Sequence, residues 1–408
     1  MVHGRTAVDH FPTPPHRPNP GAPASCQGRH RALCDFAWFR GDSGDPAELV
    51  TEFLSANGLP VRDLRRTGRQ VRPFGPGGIC GAALYVSPDA GSVMAGGPVG
   101  APTPVPRIPD VYAVVFAHDD AGGPGAGVPV ERSGGTPLSV GPWRDSWTPA
   151  AHAAAVDRAR DAIARGDVYQ VNVVGHASAP YTGDPGPALG RVAALAGARY
   201  GGVLAGPGWA MATASPETLV EVRGGRVITR PIKGTRPATA AGRRELLASA
   251  KERAEHVMIV DLERNDLARL PGIGPVRVDE LFAVRHWSGL WQAESVVSAP
   301  LTGPLDLASL LRAVCPGGSV TGAPKLAALA EIARLEPVGR GVSMGALGWV
   351  GTDRVDLGLT IRTVAADGER LHLWAGGGIT WDSDPAAEVA EAAAKAAPLR
   401  AALARGSG

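Results

Sequence analysis

The sequence is short of lysine. Of 41 Lys+Arg side chains only four are lysines, Lys233, Lys251, Lys325 and Lys395, so arginine meets nearly every other need for positive charge. It also lacks charge of one sign: 41 basic against 39 acidic residues leave a formal +2 with no long run of either, which argues against nucleic acid as a partner. Cysteine is scarce. Cys26, Cys34, Cys80 and Cys315 show no CxxC spacing, so no zinc site is read from them. No apolar stretch follows the start, which gives no secretory signal and leads to the expectation of a cytoplasmic chain with reduced thiols. The longest mainly apolar run, VSMGALGWVG at 342–351, is far short of the roughly 20 residues a membrane helix needs, and reads as a buried strand.

What is present is enough apolar matter for a large core, 44% of 408 residues. Residues 1–32 are dominated by proline and polar side chains and are expected to stay disordered. Residues 33–140 read as a small α/β subdomain, with apolar runs CDFAWF, AALYV and VYAVVF and a helix PAELVTEFLSA closed by Gly58. The Gly/Pro-rich stretch 121–137 marks the boundary before a larger unit at 145–405.

In that larger unit, Thr148 and Pro149 signal a helix start and Gly166 its end. The strand DVYQVNVV follows, with Tyr169, Val171 and Val173 on an expected core face and Gln170 and Asn172 on a polar one, which either lines a cavity or faces solvent. SPETLVEVRGGRVITRPIKGT reads as a hairpin turning at Gly224 and Gly225. Glu217 lies in its first arm and Lys233 in its second. They share a side only with an odd loop, Gly224 to Arg226, or with a bulge; regular two-residue turning would set Glu217 opposite Ile232.

Residues 240–269 form one long helical pattern, with an expected break near its acidic and Asn-containing stretch. Glu252 and Glu255 lie three apart in it, and Glu388 and Glu391 repeat that spacing in a second helix that starts at Asp384 and Pro385. Two such pairs have the oxygen donors for Mg²⁺, although a wet helix face shows the same spacing. CPGGSVTGAPK, with a helix KLAALAEIARL behind it, and WAGGGIT allow close backbone approach to an anion, and Arg362 in a β-rich run needs a carboxylate from protein or ligand. GGICGAAL around Cys80 lacks the rest of an amidotransferase nucleophile motif, so Cys80 reads as a small core residue.

In order along residues 148–400, GDVYQVN, SPE, PIKGT, AKERAEHVMIVDLERNDL, PGGSVTGAPK, IRT and AGGGI with the glutamate pair resemble the chorismate-utilising enzymes. That family includes anthranilate synthase component I, aminodeoxychorismate synthase component I, isochorismate synthase and salicylate synthase. The resemblance implies an α/β fold of two stacked, mainly antiparallel sheets flanked by helices, built from interleaved halves. Family members that add water carry a lysine where this chain has Gln170, which implies ammonia as the nucleophile. Anthranilate synthases have a small residue at Lys233, so PIKGT is most similar to aminodeoxychorismate synthase component I, on the branch to p-aminobenzoate and folate. There the lysine attacks C2 of chorismate and ammonia then enters at C4. An amine becomes a nucleophile when deprotonated, and a guanidinium does not.

The same resemblance implies Glu217 as general acid and Mg²⁺ on Glu255, Glu388 and Glu391, with Glu252 joining through water. It implies Arg362 as clamp for the enolpyruvyl carboxylate, a cradle of Gly377, Gly378 and the turn Thr321, Gly322, Ala323, and site roles for Lys325 and Lys395, for which helix-surface charge is the alternative. Lys251 is assigned to the surface. Trp349 stands where a tyrosine near the substrate is usual, and Gln292 where a histidine is usual. Glutamine cannot shuttle a proton, which keeps open a non-catalytic chorismate-binding subunit beside an anthranilate or 2-amino-2-deoxyisochorismate synthase. The ammonia implies a separate glutamine amidotransferase subunit.

Overall fold

The computed structural model describes residues 8–9, 30–68, 78–118, 136–287 and 289–404. Its strands form two sheets in which every pairing between named strands is antiparallel. The first runs, in spatial order, Val8–Asp9, Tyr200–Gly206, Trp209–Ser215, Thr363–Ala366, Arg370–Ile379, Gln170–Thr182 and Gly322–Ala323. The second runs Ile232–Pro237, Leu290–Pro300, Arg226–Arg230, Thr218–Arg223, Val355–Leu359, Ala346–Gly351, Ile79–Val86, Val111–His118 and His30–Trp38. Chain order and sheet order differ in both, as expected of interleaved halves. Strands from residues 30–118 join the second sheet where Ile79–Val86 pairs with Ala346–Gly351, so hydrogen bonds run directly between the N-terminal and C-terminal parts.

Alternation along the strands explains the layering. In Trp209–Ser215, Trp209 and Met211 enter one large apolar cluster with Leu84, Val86, Tyr112 and Leu357 of the second sheet, so the sheets stack through a shared core. Ala210 and Ala212 point the other way, into a cluster with Leu189, Ala392, Ala396 and Leu399 from helices Gly186–Ala193 and Pro385–Ala404. A third cluster joins Val171 and Val173 to the helices Pro149–Ala164 and Lys325–Leu335.

Local signals decide several boundaries. The Thr148 side chain accepts from the Ala151 N–H and Pro149 opens the helix; Asp45 caps Pro46–Ala56 in the same way. The long helical pattern at 240–269 breaks earlier than expected, at Ser249, whose extended backbone ends Ala240–Ala248 and whose side chain caps Ala250–Ala268 through the Glu252 N–H. The hairpin turn is also a correction. Arg223 pairs with Arg226 across a two-residue loop, and both glycines have positive φ, +56° and +75°, as a type I′ turn requires. A bulge between Thr218 and Glu221 then shifts the register, and this bulge, the other expected route, prevents the pairing of Glu217 with Ile232.

Of residues 1–32, Val8–Asp9 form an edge strand and His30, Arg31 and Ala32 begin another; the rest of that stretch, and nearly all of the boundary at 121–137, lies outside the described residues. No helix among the described residues is long and apolar enough to cross a membrane.

Candidate active site

Lys233 is the second residue of the edge strand Ile232–Pro237, directly opposite Ala293. Its carbonyl is pinned from the helix Ala250–Ala268. His256 Nε2 lies 3.0 Å from the Lys233 oxygen, and Nδ1 lies 2.8 Å from Ser295 Oγ, which already accepts the Phe282 N–H. A carbonyl only accepts, so Nε2 carries a proton and donates it to the Lys233 oxygen, while burial pushes the imidazole pKa down. Sequence reasoning passed over His256, although its place next to Glu255 puts it on the helix face turned inward.

Glu217 is buried just before the strand Thr218–Arg223. Burial pushes its carboxyl pKa up, against the opposing pull of Lys233, a hydrogen bond from Ser319 and one from the Ile232 N–H. That N–H is the one the bulge brings within reach, and it ties Glu217 to the residue before Lys233. Glu255 is raised as well, first by burial, with Lys233 opposing and Glu252 and Glu391 reinforcing. Glu391 is held below the usual carboxylate range: burial raises it, and Lys395, 2.7 Å away, outweighs that with help from Lys251 and Lys233. Lys233 itself forms no ion pair or side-chain hydrogen bond among the described residues, yet it acts on all three of these carboxylates.

The glycine strand closes the site. Gly377 and Gly378 sit in Arg370–Ile379, paired with Val173 and Asn172 of Gln170–Thr182. A Cβ on Gly378 would lie 2.1 Å from the Gln170 amide nitrogen, and one on Gly377 would lie 3.0 Å from Glu388 Oε2, so a larger residue at either place would displace one of these two side chains. Gln170 and Asn172 are buried, which excludes the solvent-facing reading, whereas Tyr169, expected on the core face, is 74% exposed. Glu388 is buried and oriented by Ser383, whose Oγ donates to Oε1 at 2.7 Å. Lys395 Nζ also donates to the Gly376 carbonyl at 2.8 Å, so the helix Pro385–Ala404 is tied to the glycine strand through a site residue.

Arg362 lies between Val355–Leu359 and Thr363–Ala366 with φ +51°, a left-handed conformation that costs a non-glycine residue about 1–3 kcal/mol. It is half-buried with no carboxylate partner among the described residues, and desolvation pushes its pKa down. A cation in that state suits a ligand carboxylate. In the turn after Gly318–Val320, the Thr321 hydroxyl donates to the Gly317 carbonyl, while Gly322 and Ala323 pair with Val171 and Gln170. That turn therefore braces the Gln170 strand.

Three expected site residues stand apart from this group. Lys325 is neither at the surface nor free: it is buried 2.8 Å from Asp266 and donates to the Ala313 carbonyl. Trp349 stacks on Phe116 and covers Gly81, among the N-terminal strands. Gln292, 5% exposed, lines a cavity of about 320 Å³ with Arg199, Arg230, Arg285 and Glu294, and its side-chain nitrogen has no hydrogen-bond partner among the described residues. Strand alternation turns it away from Lys233, because Lys233 faces Ala293, and Ala293 packs against Leu246 and Phe282.

The donor set offered by Glu255, Glu388 and Glu391 fits Mg²⁺ in kind, being all carboxylate oxygen. As placed, the three are engaged by Lys251, Ser383 and Lys395 and do not gather around one point. The one group of three or more potential ligands among the described residues whose donor atoms all lie within 4.8 Å of one another is His30, Cys80 and His118.

Two stacked antiparallel sheets with helices outside, and a half-buried amine among carboxylates at one edge of the second sheet, define a layered α/β protein. The chain belongs to the chorismate-binding enzyme family, whose model matches residues 130–401. It is similar to anthranilate synthase component 1 of Streptomyces coelicolor, 42% identical over 64% of this chain and 53% of that one. It is also similar to aminodeoxychorismate synthase component 1 of Klebsiella aerogenes, 41% identical over 55% of this chain and 52% of that one. The matches thus span about half the length of these curated relatives. Among solved structures, anthranilate synthase component I from Streptococcus pneumoniae superposes with a TM-score of 0.73 at 25% identity, over 93% of this chain and 94% of that one.

Proposed function

We propose that the chain aminates chorismate at C4, as an aminodeoxychorismate synthase component I does, through a covalent intermediate on Lys233. The observation that carries this reading is Lys233 itself, an amine with no ion pair among the described residues that lies among Glu217, Glu255 and Glu391.

Glu217, whose buried carboxyl holds a proton more tightly than usual, takes one from Lys233 and delivers it to the departing C4 hydroxyl. The amine attacks C2, the C4–O bond breaks, and water leaves. Ammonia then adds at C4 and the C2–N bond to Lys233 breaks, so chorismate and ammonia give aminodeoxychorismate and water. Arg362 clamps the enolpyruvyl carboxylate, and the open backbone at Gly377 admits the ring. Mg²⁺ held by Glu255, Glu388 and Glu391 would neutralise the ring carboxylate. Lys395 orients Glu391 and tethers its helix. Ammonia comes from a glutamine amidotransferase subunit, and the product feeds p-aminobenzoate synthesis.

The relatives divide between amination at C4 and anthranilate synthesis, and product analysis decides between them. With chorismate, Mg²⁺ and an ammonium salt, the expected product is aminodeoxychorismate. Anthranilate would overturn the assignment. Chorismate binding without any product would favour a binding subunit.

A further inference from the structure

We propose that His30, Cys80 and His118 form a binding site for a soft or borderline transition-metal ion, with Zn²⁺ the chemical type that fits best. It lies at the far edge of the second sheet, separate from the site around Lys233.

The register builds it. His30 and His118 are directly opposite each other across the outermost strand pair, so their imidazoles share a face, with ring centres 5.3 Å apart. Cys80 enters through an irregularity. Ile79 pairs with Ala117 but Gly81 pairs with Phe116, which leaves Cys80 as the extra residue of a bulge. A bulge re-aims the side chain it carries, and here the thiol reaches the two imidazoles: the three donor atoms lie within 4.8 Å of one another. Cys80 is buried and the two histidines are half-buried, so thiol and rings meet at a partly wet boundary.

The donors select the ion. One sulfur and two imidazole nitrogens, with no carboxylate in the group, favour zinc and its neighbours over Mg²⁺ or Ca²⁺. Around a tetrahedral zinc with bonds of about 2.0–2.3 Å, neighbouring donors stand about 3.3–3.7 Å apart, which small side-chain rotations reach from the observed spacing. Three protein donors come from the described residues, and a tetrahedral ion takes a fourth from water or a further side chain. The alternative is a simple ring stack, extended by Trp349, whose centre lies 6.4 Å from that of His30.

Cobalt substitution on the full, chelator-treated chain tests this, because Co²⁺ in such a site absorbs visibly and shows a thiolate charge-transfer band. The expected result is about one Co²⁺ per chain with that band, displaced by Zn²⁺ but not by excess Mg²⁺, and a melting temperature raised by Zn²⁺. Cys80→Ser abolishes the band, whereas Cys34→Ser, on the strand that carries His30, keeps it. His118→Gln weakens binding by about a hundredfold or more, since partners behind the ligands alone are worth about 10–100-fold. If Cys80→Ser fails to fold, the half-buried His118 carries the test. No thiolate band in the wild-type chain, or a band that survives Cys80→Ser, overturns the proposal.

Discussion

The second sheet carries reactive side chains at both of its edges, and the two edges are built in opposite ways. At one, Lys233 stands among carboxylates, Glu255 and Glu391 delivered by two helices and Glu217 by the sheet, and every carboxylate offers hard oxygen. At the other, His30, Cys80 and His118 come from three successive strands of the sheet itself, and the donors are ring nitrogens and one sulfur. Helices laid over a sheet edge bring charge to a site from outside the ladder. Register and a bulge do the same work from within it, without charges to balance.

If the lysine edge alone does the chemistry, the largest loss follows from removing its amine. Lys233→Arg keeps the positive charge and removes the nucleophile, and ammonia-dependent turnover should fall by more than about 10⁴-fold. Glu217→Gln comes next, with a loss of about 10²–10⁴-fold. Burial raises the Glu217 pKa, so its acid form persists to higher pH and turnover declines as pH rises through that raised value. A pH–rate profile of Glu217→Gln should lack this limb.

Lys325 sharpens the contrast between a free amine and a paired one. Asp266→Asn leaves its ammonium buried without a counter-ion and should cost about 3–5 kcal/mol in denaturant unfolding, while Asp266→Leu with Lys325→Met should recover much of that. Beside them, burial and Asp266 push Glu263 from the usual 4.5 up to about 8. A folded pKa above the unfolded one gives stability that is complete below about 4.5 and is lost as pH rises through about 8. Melting temperature should therefore fall across that interval, and Glu263→Gln should flatten the slope. The smallest effect belongs to the other edge: His118→Gln should leave turnover at the wild-type rate, and a large loss there would break the separation of the two edges.

How much could be read in advance also divides along this line. The lysine edge was legible because its residues sit in short segments whose own chemistry is unusual: a lysine in an arginine-rich chain, glycines in a row, glutamates three apart. What could not be read was register. Of the two routes expected, an odd loop or a bulge, the structure takes the bulge, and nothing in composition separates the two. Gln292 and Trp349 were placed near the substrate by position along the chain, and side-chain parity sends both elsewhere. For Lys325 the sequence offers a site role or a helix-surface charge, and its partner Asp266 lies on another helix. The cysteine edge was not legible at all, since Cys80 stands far from both histidines in sequence and matches no metal spacing.

The central claim is that Lys233 becomes covalently bonded to the substrate. Peptide mass spectrometry of the wild-type chain mixed with chorismate and Mg²⁺, with ammonia withheld, tests it directly. An adduct on the peptide containing Lys233, released as aminodeoxychorismate when ammonium is added, is the expected result. A chain that turns chorismate over with ammonium, yet never carries an adduct on that peptide, would contradict it.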